Sequence, residues 1–134
     1  MKKLILLLLL SGFAFGQQIN ICNLSENDLQ PFSEKITSDY GIKISNTKKT
    51  KLGFVVKFDD NLQVTFVNIA GQYSLNNITG KTEIVKRIWK SFFNPGYSET
   101  SEEYSNTILK QNGGDVRLQE SQNQFYIEKY SCRN

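Results

Sequence analysis

Two hydrophobic periods alternate along the chain after an unbroken apolar opening, Leu4 to Leu10, that is followed by Ser11-Gly12-Phe13-Ala14-Phe15-Gly16. Leu52, Phe54, Val56 and Phe58 fall on every second position, and Leu62, Val64 and Phe66 do the same beyond Asp59-Asp60-Asn61. A period of two belongs to a strand with one buried face, so these runs predict a β-hairpin. Its register follows from parity. Apolar side chains share a face only if opposed residues have numbers of matching parity, which sets Phe58 against Leu62 and Phe54 against Phe66. Asp59-Asp60-Asn61 is then a three-residue loop with Asn61 in the left-handed conformation.

Other segments carry a helical period. Phe32, Ile36 and Tyr40 recur at steps of four and Gly41 supplies the stop. Pro31 fits only near a first turn, so Asp28 is the expected cap, with Ser25 the alternative. Thr82 to Phe93 places Ile84, Ile88 and Phe92 in one row beside Val85, Trp89 and Phe93. A third helix is expected from about Ser101 to Asn112, with Thr100 and Glu103 at capping-box spacing and Gly113-Gly114 after it. Its apolar content is thin: Tyr104, Ile108 and Leu109.

Shorter signals fill the remainder. Gly41 to Ser45 reads as a brief strand, and Asn46 to Lys51 as a polar, basic connection without period. Ala70 to Gly80 is ambiguous between strand and loop. Val116 to Glu120 and Gln124 to Tyr130 predict a closing hairpin around Ser121-Gln122-Asn123, whose register parity leaves open because Phe125 and Ile127 are out of phase with Tyr126 and Tyr130. Strands with interspersed helices and few β-α-β units imply an α+β fold: a mostly antiparallel sheet with helices packed on one face, in a single small domain. Helix 82–93 is the expected cover for Phe54, Val56, Val64 and Phe66.

The opening run is too short for a membrane span, which needs about 20 residues. Lys2-Lys3, the leucines, and the small residues Ala14 and Gly16 form a secretory signal over residues 1–16, cut ahead of Gln17. Phe13 stands where a lipoprotein needs cysteine. The domain is then residues 17–134, exported and periplasmic or secreted, with no stable membrane insertion after cleavage. Cleavage takes Lys2 and Lys3 from 16 cationic side chains set against 13 acidic ones, so the mature chain is nearly neutral. That balance argues against a nucleic-acid partner.

Export places Cys22 and Cys132 in an oxidising compartment, where an even count predicts a bridge. The bond makes neighbours of the first and last segments, either as two adjacent strands or as a strand and a tail. Neither cysteine has the Cys-x-x-Cys spacing that lowers a thiol pKa.

Candidate chemistry is sparse. With no histidine, Ser-His-Asp and Cys-His nucleophiles and imidazole metal sites are excluded. Gly80-Lys81-Thr82 lacks the upstream glycine of a phosphate loop, Leu75 standing in its place. Asp59-Asp60-Asn61 lacks the glycine and distal Glu of a calcium loop. Ser45 and Lys48 have Ser-x-x-Lys spacing without the partner motifs of penicillin-interacting enzymes. Glu83, Glu99, Glu102, Glu103 and Glu120 nominate no catalytic pair, and Glu83 is spaced for a helical ion pair with Arg87.

Two binding signals remain. Lys48, Lys49 and Lys51, with Lys43 and Lys57 nearby, form one basic group, and Lys86, Arg87 and Lys90 on the second helix form another. Together they make a candidate cationic face for a protein or an anionic envelope ligand. The chain is also rich in aromatic residues (12%), and Tyr73, Tyr97, Tyr104, Tyr126 and Tyr130 are candidate interface anchors. The expected function is that of a small exported binding module without catalysis, cofactor or metal. The alternatives are a histidine-free carboxylate hydrolase, or a carrier holding an apolar ligand between sheet and helix.

Overall fold

The computed structural model describes residues 19–93 and 108–133. The signal segment 1–16, Tyr97, Tyr104, Glu99, Glu102, Glu103 and most of the expected third helix lie outside the described residues.

The described chain runs α1 (Glu26–Tyr40), β1 (Ile44–Lys49), β2 (Gly53–Phe58), β3 (Gln63–Ile69), β4 (Gln72–Thr79), α2 (Thr82–Arg87), β5 (Ile108–Gln111), β6 (Gly114–Ser121) and β7 (Gln124–Cys132). The strands form one antiparallel sheet in the order β1-β2-β3-β4-β7-β6-β5. Two meanders therefore meet where Asn77 and Ile78 of β4 face Glu128 and Ile127 of β7.

The β2–β3 hairpin has the register that parity predicts. Phe54 opposes Phe66, Val56 opposes Val64, and the Phe58 N–H donates to the Leu62 carbonyl. Asn61 is left-handed at φ 62°, and so is Asp60 at 61°. At the far end of β2, Gly53 is needed for close approach. A Cβ there would fall 1.9 Å from the Phe66 carbonyl oxygen, which is backbone and cannot step aside. Gly53→Ala should cost about 2 kcal/mol of stability, the usual scale of forced overpacking; urea unfolding of the two proteins measures it.

Helix α1 starts one turn earlier than expected. Its cap is Ser25, not Asp28. Asp28 Oδ2 accepts from the Ser25 N–H (2.8 Å) and hydroxyl (2.9 Å), tying the entering chain to the first turn. Pro31 consequently sits inside the helix, at its sixth residue, where it forgoes a single backbone bond. Gly41 ends the helix at φ 68°, and its N–H donates to the Thr37 carbonyl.

Helix α2 continues as a π-helical segment, Ile88–Phe92, closed by the Phe93 N–H on the Ile88 carbonyl. A turn wider than 3.6 residues superposes positions four and five apart. Ile88, Trp89, Phe92 and Phe93 are accordingly all buried. The ring that meets Phe66 belongs to α1, contrary to expectation: Phe32 stands edge-on to it at 5.3 Å, and Phe92 lies 5.4 Å from Phe32. Helix α2 meets β7, where the Phe125 N–H reaches Thr82 Oγ1 and the Lys86 ammonium lies 4.3 Å from the Phe125 ring centre.

Two segments depart from the sequence reading, and the open one between Ala70 and Gly80 is strand. The basic stretch Asn46 to Lys49 is strand, at the edge of the sheet: β1 pairs with β2 on one side and with no described strand on the other. Ala70-Gly71, at φ 54° and 86°, turns the chain into β4, and an extra residue at Asn76 shifts the phase so that Leu75 and Ile78 are both buried. Ile108 to Gln111 is strand β5, not helix, and the Asn112-Gly113 turn leads it into β6.

Cys22 and Cys132 are disulfide-bonded, with Cα atoms 6.0 Å apart. The bridge joins a strand to a tail. The tail lies between β4, where the Tyr73 and Leu75 N–H groups donate to the Leu24 and Ile21 carbonyls, and the β5–β6 turn, where Asn112 N–H donates to the Ile19 carbonyl. Buried Gln111 fastens this corner. Its amide nitrogen donates to the Phe93 carbonyl (2.7 Å), and its oxygen accepts from the Ile19 N–H (3.1 Å).

Beside it, Asp115 accepts from Arg133 and from the Ser131 hydroxyl. Partial burial pushes the Asp115 carboxyl up, but these donors and nearby Lys110 outweigh it and hold the group below its usual value. A depressed carboxylate stabilises the fold above its unfolded pKa, near 4, and that contribution is lost as pH falls through the lower folded value. Lowering the pH from about 5 to about 3 should therefore reduce the urea midpoint more in the native protein than in Asp115→Asn.

Candidate functional site

The cationic residues singled out in the sequence separate into two places. Lys49 pairs with Glu26 at the first residue of α1 (2.9 Å), which raises the lysine pKa through that hydrogen bond and charge. Arg87 meets the last residue of α1, its guanidinium 5.5 Å from the Tyr40 ring centre. Tyr40 is itself bonded to Ser91 at 2.6 Å, and burial raises its pKa. Glu26 and Tyr40 are separated by the full length of α1, about 21 Å at 1.5 Å per residue. Lys49 thus lies at one end of α1, with Lys48 and Lys51 its neighbours in the β1–β2 hairpin, Lys48 on the opposite face of the sheet. Arg87 lies at the other end of α1, and Lys86 faces β7.

The first group surrounds the β1–β2 hairpin. The Thr50 N–H donates to the Gly53 carbonyl at 2.8 Å and the Gly53 N–H returns to Thr50 Oγ1 at 3.2 Å, so Lys51 and Leu52 form the tip. Leu52 is 81% exposed, and Ile69, at the adjacent end of β3, is 60% exposed. The Asn68 N–H donates to the Leu52 carbonyl, which holds the tip against β3.

Three depressions converge on this hairpin, with Phe54 bordering each of them. One, about 280 Å³, is lined by Leu52, Gly53, Val55, Thr65, Val67 and Asn76 among others. A second, about 230 Å³, lies between α1 and the hairpin, walled by Gln30, Ser33, Ile44, Thr47 and Val56. A third, about 300 Å³, opens beside Glu26, Asn27, Leu29 and Gln30.

The remaining motifs have local explanations. Asp60 of the Asp-Asp-Asn turn lies 3.8 Å from the Lys81 ammonium. Ser45 Oγ donates to the Lys57 carbonyl, not toward Lys48. Glu128 is held by Arg117 at 2.5 Å, and Arg117 also lies over the half-exposed Tyr130 ring at 5.2 Å. Tyr73 is buried. Among the described residues, no three acidic or cysteine side chains come together.

Leu52 and the convergence on Phe54 were not legible in the sequence. Leu52 shares its parity with three core residues and was counted with them. A signal was nonetheless present: Leu52 follows seven polar residues, Ser45 to Lys51, and precedes Gly53, as hairpin-tip residues do. Searches against known protein families, curated proteins and solved structures find no match for this chain.

Proposed function

We propose that the chain is an exported, non-catalytic binding module that engages an anionic protein or envelope partner through its β1–β2 hairpin end. The convergence of three depressions on Phe54, beneath an exposed Leu52 and beside Lys48 and Lys51, carries the reading. Export is supported by the bridged cysteines, a bond of oxidising compartments, and by the cationic and apolar start of the sequence. No described helix is long and apolar enough to cross a membrane.

The helices are read as sharing one face of the sheet. Val64, Ile78 and Ile127 are opposed in a row across β3, β4 and β7, and opposed residues share a face. Phe66 and Phe125 lie two residues from members of that row, so the residues meeting α1 and α2 are on the same side. Val55, Thr65 and Val67 then point to the side that carries no helix among the described residues, next to Leu52.

Catalysis by paired carboxylates is disfavoured because Glu26, Asp115 and Glu128 are each engaged by a cation. The depressions lie at or below the small end of ligand pockets, about 300 Å³, which weighs against a carrier of apolar molecules. Leu52→Asp combined with Ile69→Asp tests the reading, since both side chains are largely exposed and their change should move stability by no more than about 0.5 kcal/mol. In gentle extracts of producing cells and their medium, the native protein should migrate as part of a larger species and the double variant as a free chain. If both migrate as free chains, the reading fails.

A further inference from the structure

The hairpin reading leaves open how a partner is held, and the edge of the sheet supplies a specific answer. The Thr50 N–H is directed at β2, onto the Gly53 carbonyl. Backbone groups alternate along an antiparallel strand, so those of Lys48 also face β2, while the N–H and C=O of Thr47 and Lys49 face away from it. Among the described residues no strand pairs with that side of β1. Thr47 opposes Val56, and its side chain borders the 230 Å³ depression against α1. Lys48 opposes Val55 and projects to the other face.

We propose that β1 receives an extended peptide segment by strand addition, and that the segment alternates apolar with acidic residues. This rests on the binding-module reading above and names its partner. A peptide residue opposite Thr47 shares its face, which sends an apolar side chain between Ile44 and Gln30 into the depression beside Phe54. Its neighbours opposite Asn46 and Lys48 project to the other face, where Lys48 and, diagonally, Lys57 favour carboxylates. Lys51 at the tip adds a third positive charge to the hairpin; of the acids on α1 beside the depressions, Glu26 is paired with Lys49 and Glu34 accepts from the Gln30 amide. Lysines and a bulge at Ser45 also protect an edge from pairing with further copies of itself. An acidic strand is the partner that this same protection admits.

The probe is a dye-labelled, capped peptide of about six residues alternating Glu and Val, titrated into the oxidised full-length protein with amide exchange followed in parallel. The proposal expects saturable binding, slowed exchange at the Thr47 and Lys49 amides, and weakening by about tenfold or more on three changes. These are Lys48→Glu, Thr47→Pro, and N-methylation of the peptide amide that faces β1. Thr47→Pro removes an N–H that β2 does not use, and N-methylation of the probe repeats that test without altering the protein. Absence of saturation at about 1 mM, or equal binding of a Lys-Val peptide, overturns the proposal. Binding that tolerates N-methylation and leaves Thr47 and Lys49 exchanging freely overturns strand addition while preserving the hairpin as a binding surface.

Discussion

Replacing Cys22 and Cys132 together with alanine should lower the free energy of unfolding by about 4–5 kcal/mol, as measured by urea titration of the oxidised protein and the variant. The bridge closes 110 residues of sequence. In the chain-entropy account, a loop of about 100 residues costs the unfolded chain roughly 4.7 kcal/mol of freedom when it is closed. Small domains are stable by only about 5–15 kcal/mol in total, so the loss is a large share. The folded corner is built closely around the bond. A Cβ on Gly114 would come within 2.8 Å of Cys22 Sγ and 2.6 Å of the Ser131 carbonyl oxygen. The tail is bonded to β4 through the Leu24 N–H on the Tyr73 carbonyl and to the β5–β6 turn through the Ile21 N–H on the Asn112 carbonyl, so exchange at Ile21 and Leu24, on either side of Cys22, should quicken most when the bridge is absent. An unfolding free energy unchanged by the double replacement would show that the ends hold each other without the bond.

Phe66→Ala should be nearly as costly, at about 3–5 kcal/mol, the range for truncating a buried phenylalanine. Its ring is fully buried and begins a chain of edge-on contacts from β3 through Phe32 of α1 to Phe92 beyond α2. Part of the loss is specific to the ring pair. A cycle with Phe32→Ala should return a coupling of about 1 kcal/mol, since such pairs contribute beyond the area they bury. Leu52→Ala is the informative contrast, because its side chain is mostly in water and its removal should change stability by less than about 0.5 kcal/mol. Additive costs for Phe32→Ala and Phe66→Ala would mean that the two rings act independently.

Much of the fold was legible where one physical requirement settled the answer. Parity set the β2–β3 register because both strands keep a clean period of two from Phe54 to Phe66. Gly41 ended α1 because a left-handed residue was needed there. The bridge followed from an even count of cysteines and the expectation of export. Legibility failed where a local device broke the period. The extra residue at Asn76 carries Leu75 and Ile78 to the core despite their opposite parity, so β4 looked ambiguous. A second extra residue, Tyr130, shifts the register in β7, where Val116 pairs with Lys129 but Asp115 with Ser131. Strand β1 has no buried face to give it a period. Ile108 and Leu109 are too few to distinguish a four-residue strand from the end of a helix, and Gly113-Gly114, expected to follow a helix, are instead the end of a turn and the first residue of β6.

The candidate site was half visible. Lys48, Lys49 and Lys51 belong to one hairpin, with Lys48 and Lys49 on opposite faces of the sheet, and their grouping with Arg87 assumed that sequence clusters on different elements share a surface. The length of α1 separates them. Helix cations also have aromatic partners that sequence spacing does not reveal, Tyr40 for Arg87 and Phe125 for Lys86.

The most direct measurement is site-specific photocrosslinking in producing cells. A photoreactive side chain is placed at Leu52 in one version of the protein and at Gln119 of β6 in another. The hairpin reading predicts a discrete, reproducible adduct from position 52 that weakens with added salt, and none from position 119. No adduct at 52, or the same products from both positions, would contradict it.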